Sequence, residues 1–156
     1  MSKNGARFVS LCPVFISRDI QKTVEFYTEK LGFTSAKHYD KAENFATLYR
    51  DDIEFVIIQA KPGEIPPTTH RHSTGHDDAY IVTATPEGVD PIYKEFNAQG
   101  VKILSKPHKT DYGSYEFAFE DIDGRQIGIG RILDKAVYFN DSDEIKEVDG
   151  DFFEEN

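Results

Sequence analysis

Residues 11–33 read LCPVFISRDIQKTVEFYTEKLGF, and the order of signals in this stretch decides the architecture. Leu11 to Ser17 is a short apolar run that suits a buried strand. Asp19 stands where a side-chain oxygen can take up the free amides of a helix start. Ile20, Val24, Tyr27 and Leu31 then recur at helical spacing, so a helix over 20–31 carries one apolar stripe. Gly32 tolerates the left-handed conformation that ends a helix, and Phe33 supplies the hydrophobic contact that usually follows. Three strand-like stretches come next: Phe33 to Tyr39, Asn44 to Arg50 and Ile53 to Ala60, the last two joined by a tight turn at Asp51-Asp52.

The same order returns after a linker rich in Pro, Thr and His, Lys61 to His76. Ala79 to Ala84 reads as a strand. A helix starts at Thr85-Pro86 or Asp90-Pro91, either pair being a cap residue followed by a proline that fits the first helical position. Ile92, Tyr93 and Phe96 form its apolar face and Gly100 ends it. Val101 to Ser105, Tyr112 to Phe119 and Arg125 to Ile132 follow as strands, with Asp121-Ile122-Asp123-Gly124 as a strong turn between the last two. Gly32 and Gly100 are 68 positions apart, Cys12 and Ala79 67, so the chain is an internal repeat. The expected fold is α+β: two tandem βαβββ modules forming curved mixed sheets, with helices on the outer faces. The expected divisions are a first module at 8–60, a loop at 61–76, a second module at 77–133 and an acidic extension at 134–156.

Composition narrows the class of function. Twenty-eight acidic against eighteen basic residues give a net charge of −10, which repels phosphate backbones and argues against nucleic acid as a partner. Residues 141–156 hold eight acids against Lys146, so this tail carries most of the imbalance and the rest of the chain is nearly neutral. No apolar run approaches the roughly 18 residues of a bilayer span, and Met1 to Gly5 lacks the layout of a signal peptide; a cytoplasmic protein with no membrane partner is expected. Cys12 is the sole cysteine, which excludes an internal disulfide and any CxxC motif.

Four fragments carry a resemblance: Ser17-Arg18-Asp19, Glu25-Phe26-Tyr27, Leu31-Gly32-Phe33 and Glu120-Asp121-Ile122-Asp123-Gly124-Arg125-Gln126-Ile127. In this order, inside a duplicated βαβββ chain, they resemble the glyoxalase, bleomycin-resistance and extradiol-dioxygenase superfamily, the vicinal oxygen chelate fold, over about residues 8 to 133. The run from Pro13 to Gly63 is most similar to the bleomycin-resistance proteins. The resemblance implies sheets enclosing clefts, commonly completed by a second identical subunit, so a homodimer is expected. In metal-dependent members it also implies a divalent cation held by His, Glu or Gln from the first and last strand of each module. Carried over one by one, those places are Cys12, Val56, Ala79 and Gly128, the last where a metal enzyme would show glutamate. They offer at most one soft donor, and a divalent ion needs several converging oxygen or nitrogen atoms, so neither a metal nor another cofactor is expected.

Other groupings read more plainly. His70, His72 and His76 lie in the linker without a helix to align them. Tyr115, Phe117 and Phe119 share one strand face by alternation and read first as core. Glu54, Glu116 and Glu120 include a possible general base. No tryptophan is present to stack on an antibiotic, and no GxSxG or phosphate-binding glycine loop occurs. The expected function is metal-free binding of a small organic molecule, with antibiotic sequestration as one form of it. Cys12, Val14, Glu54, Val56, Ala79, Ile81, Thr83, Gln126 and Gly128 are expected to line the cleft. The alternatives are a lyase, isomerase or dioxygenase of the same superfamily, and an interaction module acting through the acidic tail.

Overall fold

Each half of the chain forms one four-stranded sheet with a helix packed on one face. The computed structural model describes residues 4–36, 44–64, 68 and 73–133; His70, His72 and the acidic extension lie outside them. The chain divides into two compact units, residues 1–66 and 67–156.

The N-terminal unit runs β1 (Val14–Ser17), α1 (Ile20–Glu29), β2 (Thr34–Ala36), β3 (Phe45–Arg50) and β4 (Ile53–Gln59). Its sheet order is β1-β4-β3-β2, with β1 parallel to β4 and the other pairs antiparallel. The start of α1 is satisfied as the sequence predicts: the Asp19 carboxylate accepts from the Lys22 amide at 3.3 Å. Gln59 adds a cap from across the sheet, its Oε1 accepting from Ile20 N at 2.9 Å and its Nε2 donating to Arg18 O at 2.7 Å. The other end closes at Gly32, φ 70°, where Phe33 N donates back to Tyr27 O. Tyr27, Phe33, Phe55 and Phe15 then form a ring cluster between helix and sheet, with centroids 5.3–6.0 Å apart.

The C-terminal unit runs β5 (Ala79–Val82), a single 3-10 turn (Pro86–Gly88), α2 (Val89–Ala98), β6 (Lys102–Lys109), β7 (Ser114–Glu120) and β8 (Gln126–Ile132), in sheet order β5-β8-β7-β6. Neither sheet closes into a barrel. Thr85 and Pro86 open the 3-10 turn, which leads directly into α2. Phe96 packs edge-on against Phe117 and Phe119, and Tyr93 against Phe117. Phe117 and Phe119 of the aromatic face of β7 are therefore core, as alternation suggested, while Tyr115 at its end is half-buried and donates its hydroxyl to Asp90 at 2.6 Å. Strand β6 runs past Ser105 to Lys109 although it contains Pro107. As an edge strand it can spare the proline's missing N–H, and its ladder shifts register there.

Candidate functional site

Alternation along the paired strands sorts every candidate residue onto one of two faces. In the N-terminal unit Phe55, Ile57, Ala46 and Leu48 are buried toward α1. Val14 is in register with Val56, and Thr47 with Val56 on the other side, so the opposite, open face carries Val14, Val56, Glu54, Phe45 and Tyr49. Cys12 approaches the same strand, its Sγ lying 3.9 Å from Glu54 O. Burial, then the charge of Glu54, raise its thiol pKa, so it is a poor nucleophile. Cys12, Val14, Glu54 and Val56 thus share one side of one sheet.

The C-terminal candidates separate. Ala79 is in register with Ile127 and Ile81 with Ile129, both buried beside Phe119 and Phe117 on the α2 face. Thr83, two residues further, lies 3.5 Å from where a Cβ on Gly88 would stand. Ala79, Ile81 and Thr83 therefore face the helix, contrary to the sequence expectation. The physical reason is register: Val14 corresponds to Tyr80, an offset of 66 rather than 67, and a one-residue slip turns every side chain to the other face. Ala79 and Gly128 stand on opposite faces and cannot be two corners of one cage. The place equivalent to Cys12 becomes Asp78, whose carboxylate accepts the Gln126 amide at 2.9 Å. Among the described residues no three His, Cys, Asp or Glu side chains converge to hold a metal ion. The donor set does not fit the superfamily's cation.

Correcting the register reveals a polar cluster that the sequence reading missed. Tyr80 is in register with Gly128, and Glu116 with Gly130. Glu116 gathers three hydroxyls: Tyr80 donates at 2.9 Å, Ser114 at 2.7 Å, and Tyr112 also donates to it. The glycines make room for this. A Cβ on Gly130 would lie 2.3 Å from the Tyr80 hydroxyl, and one on Gly128 2.3 Å from Asp77 Oδ2. Asp77 thus brings a carboxylate over the strand position where a metal enzyme would carry glutamate, and Gln126 Nε2 holds its other oxygen at 2.7 Å. His108 is in register with Glu116 on the neighbouring strand. The signal available in sequence was the pairing of strand glycines 128 and 130 with a tyrosine and a glutamate, visible only once register is known.

Burial, reinforced by hydrogen bonding to Glu116, pushes the Tyr112 phenol up to about 12. Burial and the Glu116 charge raise Tyr80 further. Both phenols therefore stay protonated and remain donors at neutral pH. Asp77 is raised too, by burial first and then by the charges of Glu116 and Asp78, against the lowering effect of the Gln126 bond and His76. An acid whose pKa is higher in the folded state is bound to its proton more tightly there. Its contribution favours folding at low pH and turns unfavourable as pH rises from the ordinary carboxylate range through the raised value. Asp77→Asn, which keeps an acceptor for Gln126, is expected to raise the melting temperature at pH 7. The gain should vanish below about pH 4, where both forms are neutral; a pH series of thermal melts checks this, and a pH-independent difference would refute it.

A separate depression of about 620 Å³ lies in the N-terminal unit, lined by Arg18, Asn44, Gln59 and the run from Ala60 to Glu64. None of the sequence candidates lines it, and Gln59 there is committed to capping α1. Among the described residues no helix is long and apolar enough to cross a membrane.

The fold and these faces can be set beside known proteins. No curated protein matches the chain. Among solved structures, a glyoxalase/bleomycin resistance protein/dioxygenase from Alicyclobacillus acidocaldarius is similar over 88% of this chain and 98% of its own, with TM-score 0.64 and 17% identity. A glyoxalase-related enzyme from Clostridium phytofermentans superposes with TM-score 0.62 at 17% identity, covering 84% of this chain and 100% of that one. A third relative, from Nocardioides, gives TM-score 0.60 at 19% identity over 83% and 87% of the two chains. At such identities the likeness is one of fold. The family model of the Glyoxalase/Bleomycin resistance protein/Dioxygenase superfamily matches residues 11–129, most of the chain and both sheets, and the protein belongs to that superfamily.

Proposed function

We propose that the protein binds a small organic molecule on the open face of its C-terminal sheet without a resident metal. The observation that carries this reading is the Glu116 carboxylate, seated over glycine and ringed by Tyr80, Tyr112 and Ser114. Beside it Asp77 supplies a second carboxylate, and the Tyr80 and Tyr112 rings supply apolar surface. A few convergent polar groups on an otherwise apolar face are what orient a small ligand. Two carboxylates and two aromatic rings favour a ligand carrying an amine or several hydroxyls. Of the residues expected from sequence, Gln126 and Gly128 belong to this surface. Sequestration of an antibiotic or a metabolite would need no more than such a site.

The test is a thermal-shift screen of amine-bearing and neutral compounds, followed by calorimetry on Glu116→Gln. A hit is expected to bind roughly 10–100-fold more weakly to the variant, as loss of one charge-assisted contact would give. Equal affinity would refute the site. Protein purified without a histidine tag is further expected to carry no stoichiometric divalent ion and to keep its melting temperature in chelator. A true site ion would instead stabilise the fold by linkage, and one tightly bound ion per chain would move the weight to the metal-dependent enzymes of the superfamily.

A metal-free reaction is the second reading, favoured by the raised pKa of Asp77, which suits a general base. In that case Asp77→Asn would abolish turnover of a bound compound while leaving its affinity within a few-fold. We also propose that the protein works as a homodimer, because the open face of the N-terminal sheet leaves Val14, Phe45 and Tyr49 exposed to a partner.

A further inference from the structure

The edge strand β6 departs from a strict ladder twice, between Ile103 and Ser105 and between Ser105 and His108. Ile103 stands opposite Phe119, so an unbroken antiparallel ladder would bring Lys106 opposite Glu116. The two shifts together carry the register on by two residues, and Pro107, with no N–H to give, lies inside the second. Alternation is thereby restored, and His108 rather than Lys106 faces Glu116 on the open side of the sheet. Bulges of this kind re-aim side chains and are over-represented beside functional sites. A lysine opposite Glu116 would have neutralised it from within the chain. Instead Glu116 is ringed by hydroxyls and, among the described residues, has no ion-pair partner.

The hydrogens of this cluster are already placed. Tyr80, Tyr112 and Ser114 each give theirs to Glu116, and Gln126 Nε2 donates to Asp77 Oδ1 at 2.7 Å and to Gly75 O at 3.3 Å. His108 Nδ1 lies 2.7 Å from Lys106 O. A carbonyl can only accept, so Nδ1 carries the hydrogen and Nε2 of the neutral ring keeps its lone pair. Among the described residues neither His108 Nε2 nor Asp77 Oδ2 has a hydrogen-bond partner. What these side chains still offer is therefore acceptors and negative charge. A polyol needs donors for its own oxygens and an anion is repelled, whereas an ammonium group only donates and brings the missing positive charge. We infer that His108 is a specificity residue of the open-face site and that this site takes the protonated amine of a small arylalkylamine, its ammonium lying against Glu116 and donating to His108 Nε2. The inference rests on the ligand-binding reading above and decides there for the amine over the polyol. Tyr80 and Tyr112, 40% and 47% exposed, give the aromatic part of such a molecule surface to pack on.

The experiment follows backbone amides of the full chain by NMR at neutral pH during titration with benzylamine, benzyl alcohol and benzoate, which share a ring and differ in the polar group. Benzylamine is expected to shift the amides around His108, Glu116 and Gly128 to Gly130, and to bind at least about 10-fold more tightly than benzyl alcohol, as a charge-assisted contact gives. Benzoate should leave them unmoved. His108 is exposed on an edge strand, so His108→Phe and His108→Gln should both fold, which their amide spectra verify. The phenylalanine keeps a ring and loses the acceptor, and should weaken benzylamine about 10-fold. The glutamine carbonyl restores an acceptor and should bring affinity back to within about 3-fold of the natural chain. Equal affinity in His108→Phe, or no recovery in His108→Gln, overturns the role of His108. Benzyl alcohol or benzoate binding these amides as tightly as benzylamine overturns the amine class while the open-face site stands, a comparison that needs no variant. If none of the three compounds perturbs these amides, the inference and the binding reading beneath it both fall.

Discussion

Replacing Arg125 by alanine is expected to cost about 3–5 kcal/mol of stability, the usual result of breaking a buried ion pair from one side. The guanidinium is 3% exposed and bonds both acids of its turn, Asp121 through Nε at 2.8 Å and Asp123 through Nη2 at 2.9 Å. Asp121 spends its second oxygen on the amides of Asp123 and Arg125. One carboxylate thus ties the turn's main chain while the other oxygen is neutralised by Arg125. Removing the arginine takes away the guanidinium that both buried carboxylates bond. Chemical denaturation checks this, with Arg125→Lys as a companion that retains the charge but loses the fork and should fall between the two. A loss in alanine below about 1 kcal/mol would mean that the cluster behaves as a surface pair.

The second large effect is expected at Gly130. A methyl group there would lie 2.5 Å from Glu116 Cβ and 2.6 Å from the Tyr115 carbonyl, besides striking the Tyr80 hydroxyl. The carbonyl belongs to the ladder of β7 and β8 and cannot turn away. Gly130→Ala should therefore destabilise by about 2–3 kcal/mol, as overpacking does, and separate Tyr80 from Glu116. Gly128→Ala is the milder companion, because its nearest atoms, Asp77 Oδ2 and Cγ and the Tyr80 ring carbon Cδ2, are side-chain atoms that yield more readily than a main-chain carbonyl. It should cost under about 1 kcal/mol. Equal effects at the two positions would show that the glycines do not serve the cluster in this way. Thermal melts with ligand titration would measure both consequences on the same samples.

These two sites show why some features were legible and others not. The Asp121 to Gly124 turn was plain from its residue types, because the need for turn geometry is local. Its buried cage was not, because nothing in the spacing says whether Arg125 points inward. Likewise the sequence reading identified Phe117 and Phe119 as core from alternation alone, while it placed Ala79, Ile81 and Thr83 on the wrong face. Alternation fixes which residues of one strand go together, and it cannot say which residue stands opposite which on another strand. That depends on the length of each loop and on the hydrogen-bond register.

What the sequence determined by itself is therefore the local and the repeated: strand and helix order, the stop at Gly32 with its counterpart Gly100, the cap at Asp19, the duplicated βαβββ pattern and, through its motifs, the superfamily. These depend on neighbours within a few residues, or on a hydrophobic period that survives in one dimension. Tertiary structure alone decided which faces meet. It brought Tyr80, Tyr112, Ser114 and Glu116 together over Gly130, carried Asp77 into the space above Gly128, and separated Ala79 from the residue expected to face it. The reason is physical: a parallel pair such as β5 and β8 is joined through more than forty intervening residues. Its register is set by the packing of Ile127 and Ile129 under α2, a choice made by the whole core and by no segment alone.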